Sequence, residues 1–102
     1  MKIIECLSDY IHEEVHDAEK YAEKALAIKH DYPEIADLLS VLSSEELKHM
    51  QMLHNGVVKL IEAYRKIHGE PPADMQAVYD YLHKKIIEEV KEVKILQQLY
   101  TE

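Results

Sequence analysis

The sequence predicts an all-α fold of three long helices, and three observations carry that prediction. The 102 residues include only two glycines and three prolines, too few for the frequent turns of a β-meander. Glu, Lys, Leu, Ile, Ala and Tyr dominate, as they do in long helices. Apolar residues recur at spacings of three and four over three stretches divided by two clear breaks. The length is that of one domain, residues 1–102.

The first helix is expected over about residues 3–30, where Ile4, Leu7, Ile11, Glu14, Ala18, Tyr21, Ala25 and Ile28 form one stripe. His30-Asp31-Tyr32-Pro33-Glu34 breaks it. Pro33 suits the first turn of the next helix, with Asp31 or Tyr32 as its cap. The second helix is expected over about 33–67, with a stripe of Ile35, Leu39, Leu42, Glu46, His49, Leu53, Val57, Leu60, Tyr64 and Ile67. Gly56 falls inside it. One glycine costs a helix about 1 kcal/mol against alanine, so the helix is read through. Gly69 and the pair Pro71-Pro72 then stop it. The third helix is expected over about 74–100, with Met75, Tyr79, Leu82, Ile86, Val90, Val93 and Tyr100 on one side. Short connections make consecutive helices antiparallel neighbours.

Charge narrows the partners. Twelve basic residues against twenty acidic ones give a net charge of −8 at pH 7. Such a surface repels nucleic acid and anionic membranes and attracts cations. The lone Cys6 excludes an internal disulfide and a cysteine zinc site, and a reducing cytoplasmic setting is expected. Glu5 interrupts the apolar start before a signal-peptide core can form. No apolar run approaches the roughly 20 residues of a membrane span. There is no glycine-rich phosphate loop, and no Ser or Cys stands in a nucleophile context.

Polar residues interrupt the apolar faces. At 100° per residue, Glu14 lies about 40° from the middle of its stripe, Glu46 and His49 about 30°, and Glu89 about 40°. An unpaired carboxylate in core phase costs several kcal/mol, so something should compensate these groups. If the first turn is centred between Asp31 and Tyr32, Glu14 and His49 are equally far from it and Glu46 is one turn away. In an antiparallel pair the three meet at one level. Glu46-x-x-His49 puts both side chains on one helix face. Oxygen plus imidazole without thiolate suits Fe or Mn, with Zn also accepted. A buried polar network that fixes helix register is the other reading of the same trio. A second spacing match, Glu13-x-x-His16, points away from the apolar stripe and reads as a solvated face.

A first-helix Glu14 followed by Ala18 and Tyr21, then Pro33-Glu34-Ile35-Ala36, then Ser44-Glu45-Glu46-Leu47-Lys48-His49, resembles the ferritin-like superfamily. Rubrerythrin-type and encapsulated-ferritin-type members are most similar. The resemblance covers roughly residues 8–54. It implies that Glu14, Glu46 and His49 are half of a di-iron carboxylate site, whose usual set is four carboxylates and two His. The chain departs from the pattern in having three helices and no Glu-x-x-His on the third; Asp80-Tyr81-Leu82-His83 is only a shortened analogue. The resemblance therefore implies completion by a second copy across a homodimer or higher homo-oligomer. Glu89 is an alternative ligand within one chain, roughly 5 Å out of level. Without a cysteine pair for a rubredoxin-type relay, a complete rubrerythrin-like peroxidase in one chain is excluded.

The function expected is thus a small metal-binding protein that holds di-iron, or Fe/Mn, through Glu14, Glu46, His49 and Glu89 and extends to oxidising Fe(II). The alternative is a helical interaction module with no chemistry. His54, about 110° off its stripe, and His83, about 80° off, are expected at the surface. His12 and His16 are expected in solvent beside Glu13 and Asp17, Tyr21 as a core filler with a polar handle, and Met50, Met52 and Cys6 as packing.

Overall fold

The structure, a computed structural model, describes residues 1–102. It is all-helical: α1 spans Lys2–Ile28, α2 Pro33–His68 and α3 Ala73–Thr101. Pro33 opens α2, with Tyr32 at the cap position and no side-chain cap hydrogen bond. Helix α2 continues through Gly56. It stops at Gly69, whose φ of 76° lies in the left-handed region that favours glycine and whose N–H donates to the Arg65 carbonyl at 3.0 Å. Pro72 then caps α3.

The molecule is a rod of 56 × 19 × 18 Å organised around α1. Buried positions on α1 are Ile4, Ser8, Ile11, Val15, Ala18, Ala22 and Ala25. Their steps alternate four and three, the 3.5-residue repeat of a coiled-coil seam. On α2 the buried residues Ala36, Ser43 and Met50 fall seven apart, and on α3 Ile86 and Val93 do the same. Ile11, Val15, Ala18, Met50, Ile86 and Val93 form the central cluster. Near the first connection the seam is lined by alanines, which let α1 and α2 approach closely.

This packing differs from the stripe expected on α2. Ile35 and Ile67, at its ends, are 50% and 76% exposed. Helix α2 carries two apolar stripes about 115° apart. The one that packs on α1 is the one with the smaller residues, Ala36 and Ser43. The other stripe, through Ile35, Leu38, Leu42, His49 and Leu53, stays at the surface or half-buried. On α1, Val15 rather than Glu14 is the residue enclosed.

Contacts at the ends give the order of the helices along the rod. The Met1 amino group donates to the Tyr79 hydroxyl at 3.0 Å, and Lys29 Nζ donates to the Tyr100 carbonyl at 2.6 Å. The start of α1 thus lies by the start of α3, and the two ends also lie together. The Tyr100 hydroxyl donates to Asp37 Oδ1 near the start of α2. Helix α3 rests chiefly on α1 and touches α2 sparsely. No helix is long and apolar enough to cross a membrane.

Candidate metal centre

Glu14, Glu46 and His49 come together. Each offers one ligand atom, and these atoms lie within 4.8 Å of one another. Glu14 leaves α1 on one flank of the buried seam, and Glu46 and His49 leave α2 one turn apart on the adjoining flank. The His49 Nδ1 is 3.5 Å from Glu14 Oε2 and 3.9 Å from Glu46 Oε2. Side-chain exposure falls from 52% at His49 to 27% at Glu14 and 18% at Glu46. The site is therefore a shallow recess with its imidazole at the mouth. It does not lie in the core as the stripe phase implied.

Two features of the trio are compatible with a bound cation. Glu14 Oε2 is fully buried and has no hydrogen-bond partner, an unfavourable state for a carboxylate oxygen. Glu46 has its pKa pushed up to about 7, first by a side-chain hydrogen bond with Glu14, then by burial and by the Glu14 charge. His49 opposes that rise and Asp17 adds to it. Two carboxyls this close disfavour a second negative charge, which either a proton or a divalent ion relieves. The donor set, two oxygens and one imidazole, fits Fe, Mn or Zn.

Glu89 is not brought to this group. Its Oε2 is 3.4 Å from His12 Nδ1. His12 and Glu14 project about 160° apart around α1, so Glu89 sits on the opposite flank. Counting heights from the turn puts Glu89 roughly 5 Å out of level and leaves open which side of α1 the third helix covers. His12 is correspondingly half-buried against α3, in a recess shared with His16, Glu19 and Glu92. Crowding by burial and by Glu23 raises the Glu19 pKa, with Glu92 adding to the rise.

Two further residues meet that sequence reasoning left apart at the surface. His54 on α2 and His83 on α3 stack, with ring centroids 5.1 Å apart and planes 23° from parallel. Burial lowers the His54 pKa and the His83 charge lowers it further. The signal that could have found them is the seam repeat itself. His54 lies eleven residues beyond Ser43, in seam phase, once the packed face of α2 is taken through Ala36, Ser43 and Met50. Tyr21 is half-buried on the Glu14 flank, and Cys6 is half-buried too.

Comparison with protein-family models, with curated proteins and with solved structures finds no match.

Proposed function

We propose that the chain is a small ferritin-like metal-binding protein whose Glu14, Glu46 and His49 hold iron, or iron with manganese, with zinc accepted by the same donors. The observation that carries this reading is the buried Glu14 Oε2, which accepts no hydrogen bond, within reach of the Glu46 carboxylate and the His49 imidazole. Glu14 and Glu46 would supply carboxylate oxygens to the metal, and His49, at the mouth, an imidazole nitrogen. Bound iron would supply redox chemistry, and the reading extends to oxidation of Fe(II).

One chain provides half of a di-iron ligand set, so the site is completed by a second copy. The uncovered stripe supports this. Ile35, Leu38 and Leu42 on α2 flank the trio on the face that α1 and α3 leave open, with Ile3 and Tyr10 on the same side of α1. A two-fold pairing there brings two trios together and covers the apolar surface. Helix order within each chain, with α1 and α2 antiparallel, agrees with the partners Ala18–Ser43 and Glu14–His49. The acidic balance, net −8, draws cations toward the recess and disfavours nucleic acid and membrane partners. A reducing cytoplasm suits the single free thiol.

The raised Glu46 pKa, caused first by its hydrogen bond with Glu14, favours a second reading, an interaction module in which the trio is a hydrogen-bonded network that fixes helix register. Metal analysis separates the two. The purified protein is supplied anaerobically with Fe(II), and bound metal, oligomeric state and Fe(II) oxidation under air are measured. Loss of bound iron in Glu46→Ala and His49→Ala supports the metal centre. Unchanged stoichiometry in both variants, or a wild-type chain that binds no iron, leaves the interaction module. A strictly monomeric iron-loaded protein removes the two-copy site.

A further inference from the structure

Away from the trio, α1, α2 and α3 together line a cavity of about 300 Å³. Its wall is mostly apolar, with Ile4, Ile11, Val57 and Ile86 among its residues, and His54, Asp80 and His83 supply polar atoms to it. The two imidazoles come from different helices and meet face to face. Asp80 and His83 are three residues apart on α3 and so share a face.

The spacing of the rings is informative. Zinc binds imidazole nitrogen at about 2.0–2.1 Å, which places each ring centre roughly 3 Å from the ion. Two rings on one tetrahedral ion then have centres about 5 Å apart. The observed separation is 5.1 Å. The rings are stacked, so both must turn edge-on to share an ion; rotation about the soft terminal torsions does this while leaving the ring centres nearly in place, and His83 is exposed and His54 half-buried. Asp80 Oδ1 accepts a hydrogen bond from Gln76 Nε2 at 2.9 Å, one turn back on α3. That contact leaves Oδ2 free as a donor to a metal, in the way an outer partner steadies a ligating carboxylate.

We propose that His54, Asp80 and His83 form a second metal site, for a divalent ion of the zinc, cobalt or nickel class, that clamps α2 to α3. Two imidazoles and one carboxylate select borderline transition ions over Mg²⁺ and Ca²⁺, and three protein ligands leave one position open. This site shares no ligand with the trio. His54 and His49 project about 140° apart around α2, so the two centres face different sides of the helix. The clamp acts where the fold is least tied, since α2 and α3 touch one another far less than either touches α1.

Titration of the full chain with Co²⁺ and Zn²⁺ tests this, with bound equivalents measured after dialysis, cobalt ligand-field absorption, and Tm. The triple variant Glu14→Gln, Glu46→Gln, His49→Gln removes the first centre. It is expected to keep one equivalent, to show tetrahedral cobalt absorption and to gain Tm with Zn²⁺. Adding His83→Gln, at an exposed position, abolishes all three signals, and Asp80→Asn weakens binding by about tenfold or more. The proposal is overturned if the triple variant binds no Zn²⁺, or if His83→Gln in that background leaves zinc affinity and cobalt absorption unchanged. Failure of the trio as a metal centre appears separately, as wild type and triple variant binding the same number of equivalents.

Discussion

Ser43 Oγ donates a hydrogen bond of 2.7 Å to the Ala18 carbonyl, at a point where both residues are fully buried. The same oxygen accepts a 2.9 Å bond from Gln97 Nε2. One hydroxyl thus joins all three helices. Ser43→Ala is expected to destabilise the fold by about 1–2 kcal/mol, because Gln97 loses its acceptor and a small void forms. Ser43→Val is expected to cost more, since the closely approached helices must move apart. Urea unfolding of the two variants checks both, and a Ser43→Ala chain as stable as wild type would remove this three-helix link.

The carboxyl pair in the recess predicts an unusual pH dependence. Glu46 binds its proton more tightly in the folded chain than its ordinary value of 4.5 implies, up to about 7. Its contribution is therefore fully present below pH 4.5 and is lost as pH rises through about 7. Without metal, wild type should lose stability relative to Glu46→Gln over that window. With metal the trend reverses, because ligation requires the deprotonated carboxylate. Thermal unfolding of both proteins from mildly acidic to mildly basic pH, with chelator and then with Fe(II) or Mn(II), gives the comparison.

Gly56 lies within α2, and a Cβ built there meets nothing within 4 Å. In the isolated chain, Gly56→Ala should raise stability by about 0.5–1 kcal/mol through helix propensity and a less flexible unfolded state. Gly56 points toward the uncovered stripe, about 20° from His49. If two copies close over that stripe, the same substitution alters the dimer dissociation constant while still stabilising the monomer. Sedimentation and thermal unfolding at several concentrations resolve the two effects.

Glu89→Gln isolates the flank of α1 that faces α3. Because Glu89 contacts His12 and not the trio, the substitution should leave the iron stoichiometry unchanged. Its effect on stability should stay within about 1 kcal/mol, as for a partly exposed ion pair. Metal analysis beside Glu46→Gln is the control, and loss of iron in Glu89→Gln would mean that the carboxylate reaches the centre from a partner copy.

Much of this architecture is legible in the sequence. Pro33 and the Gly69–Pro72 segment mark the helix ends through backbone restrictions that tertiary context does not override. The meeting of Glu14, Glu46 and His49 follows from counting along two helices joined by a tight turn. What could not be read was which of two apolar stripes on α2 turns inward. Both have helical period, and the choice falls to Ala36 and Ser43, whose small size a hydrophobic pattern undervalues. That choice sets the placement of the trio on a flank, the partnership of Glu89 with His12 and the stacking of His54 on His83. Each of these depends on how helices rotate against one another, which spacing along a single chain does not determine.

The unbroken alternation of four and three along α1 also bears on how the sequence can drift. Seven positions are buried, and three of them, Ala18, Ala22 and Ala25, carry the smallest side chain at the seam. The flanks beside that seam are committed as well, one to the carboxylate recess and the other to α3. In a library of random variants selected for folding, α1 should emerge as the most intolerant stretch. The last turns of α2 and the outer face of α3 should absorb most of the surviving changes. A first helix that stays recognisable while the rest diverges is then the mark by which distant versions of this protein are found.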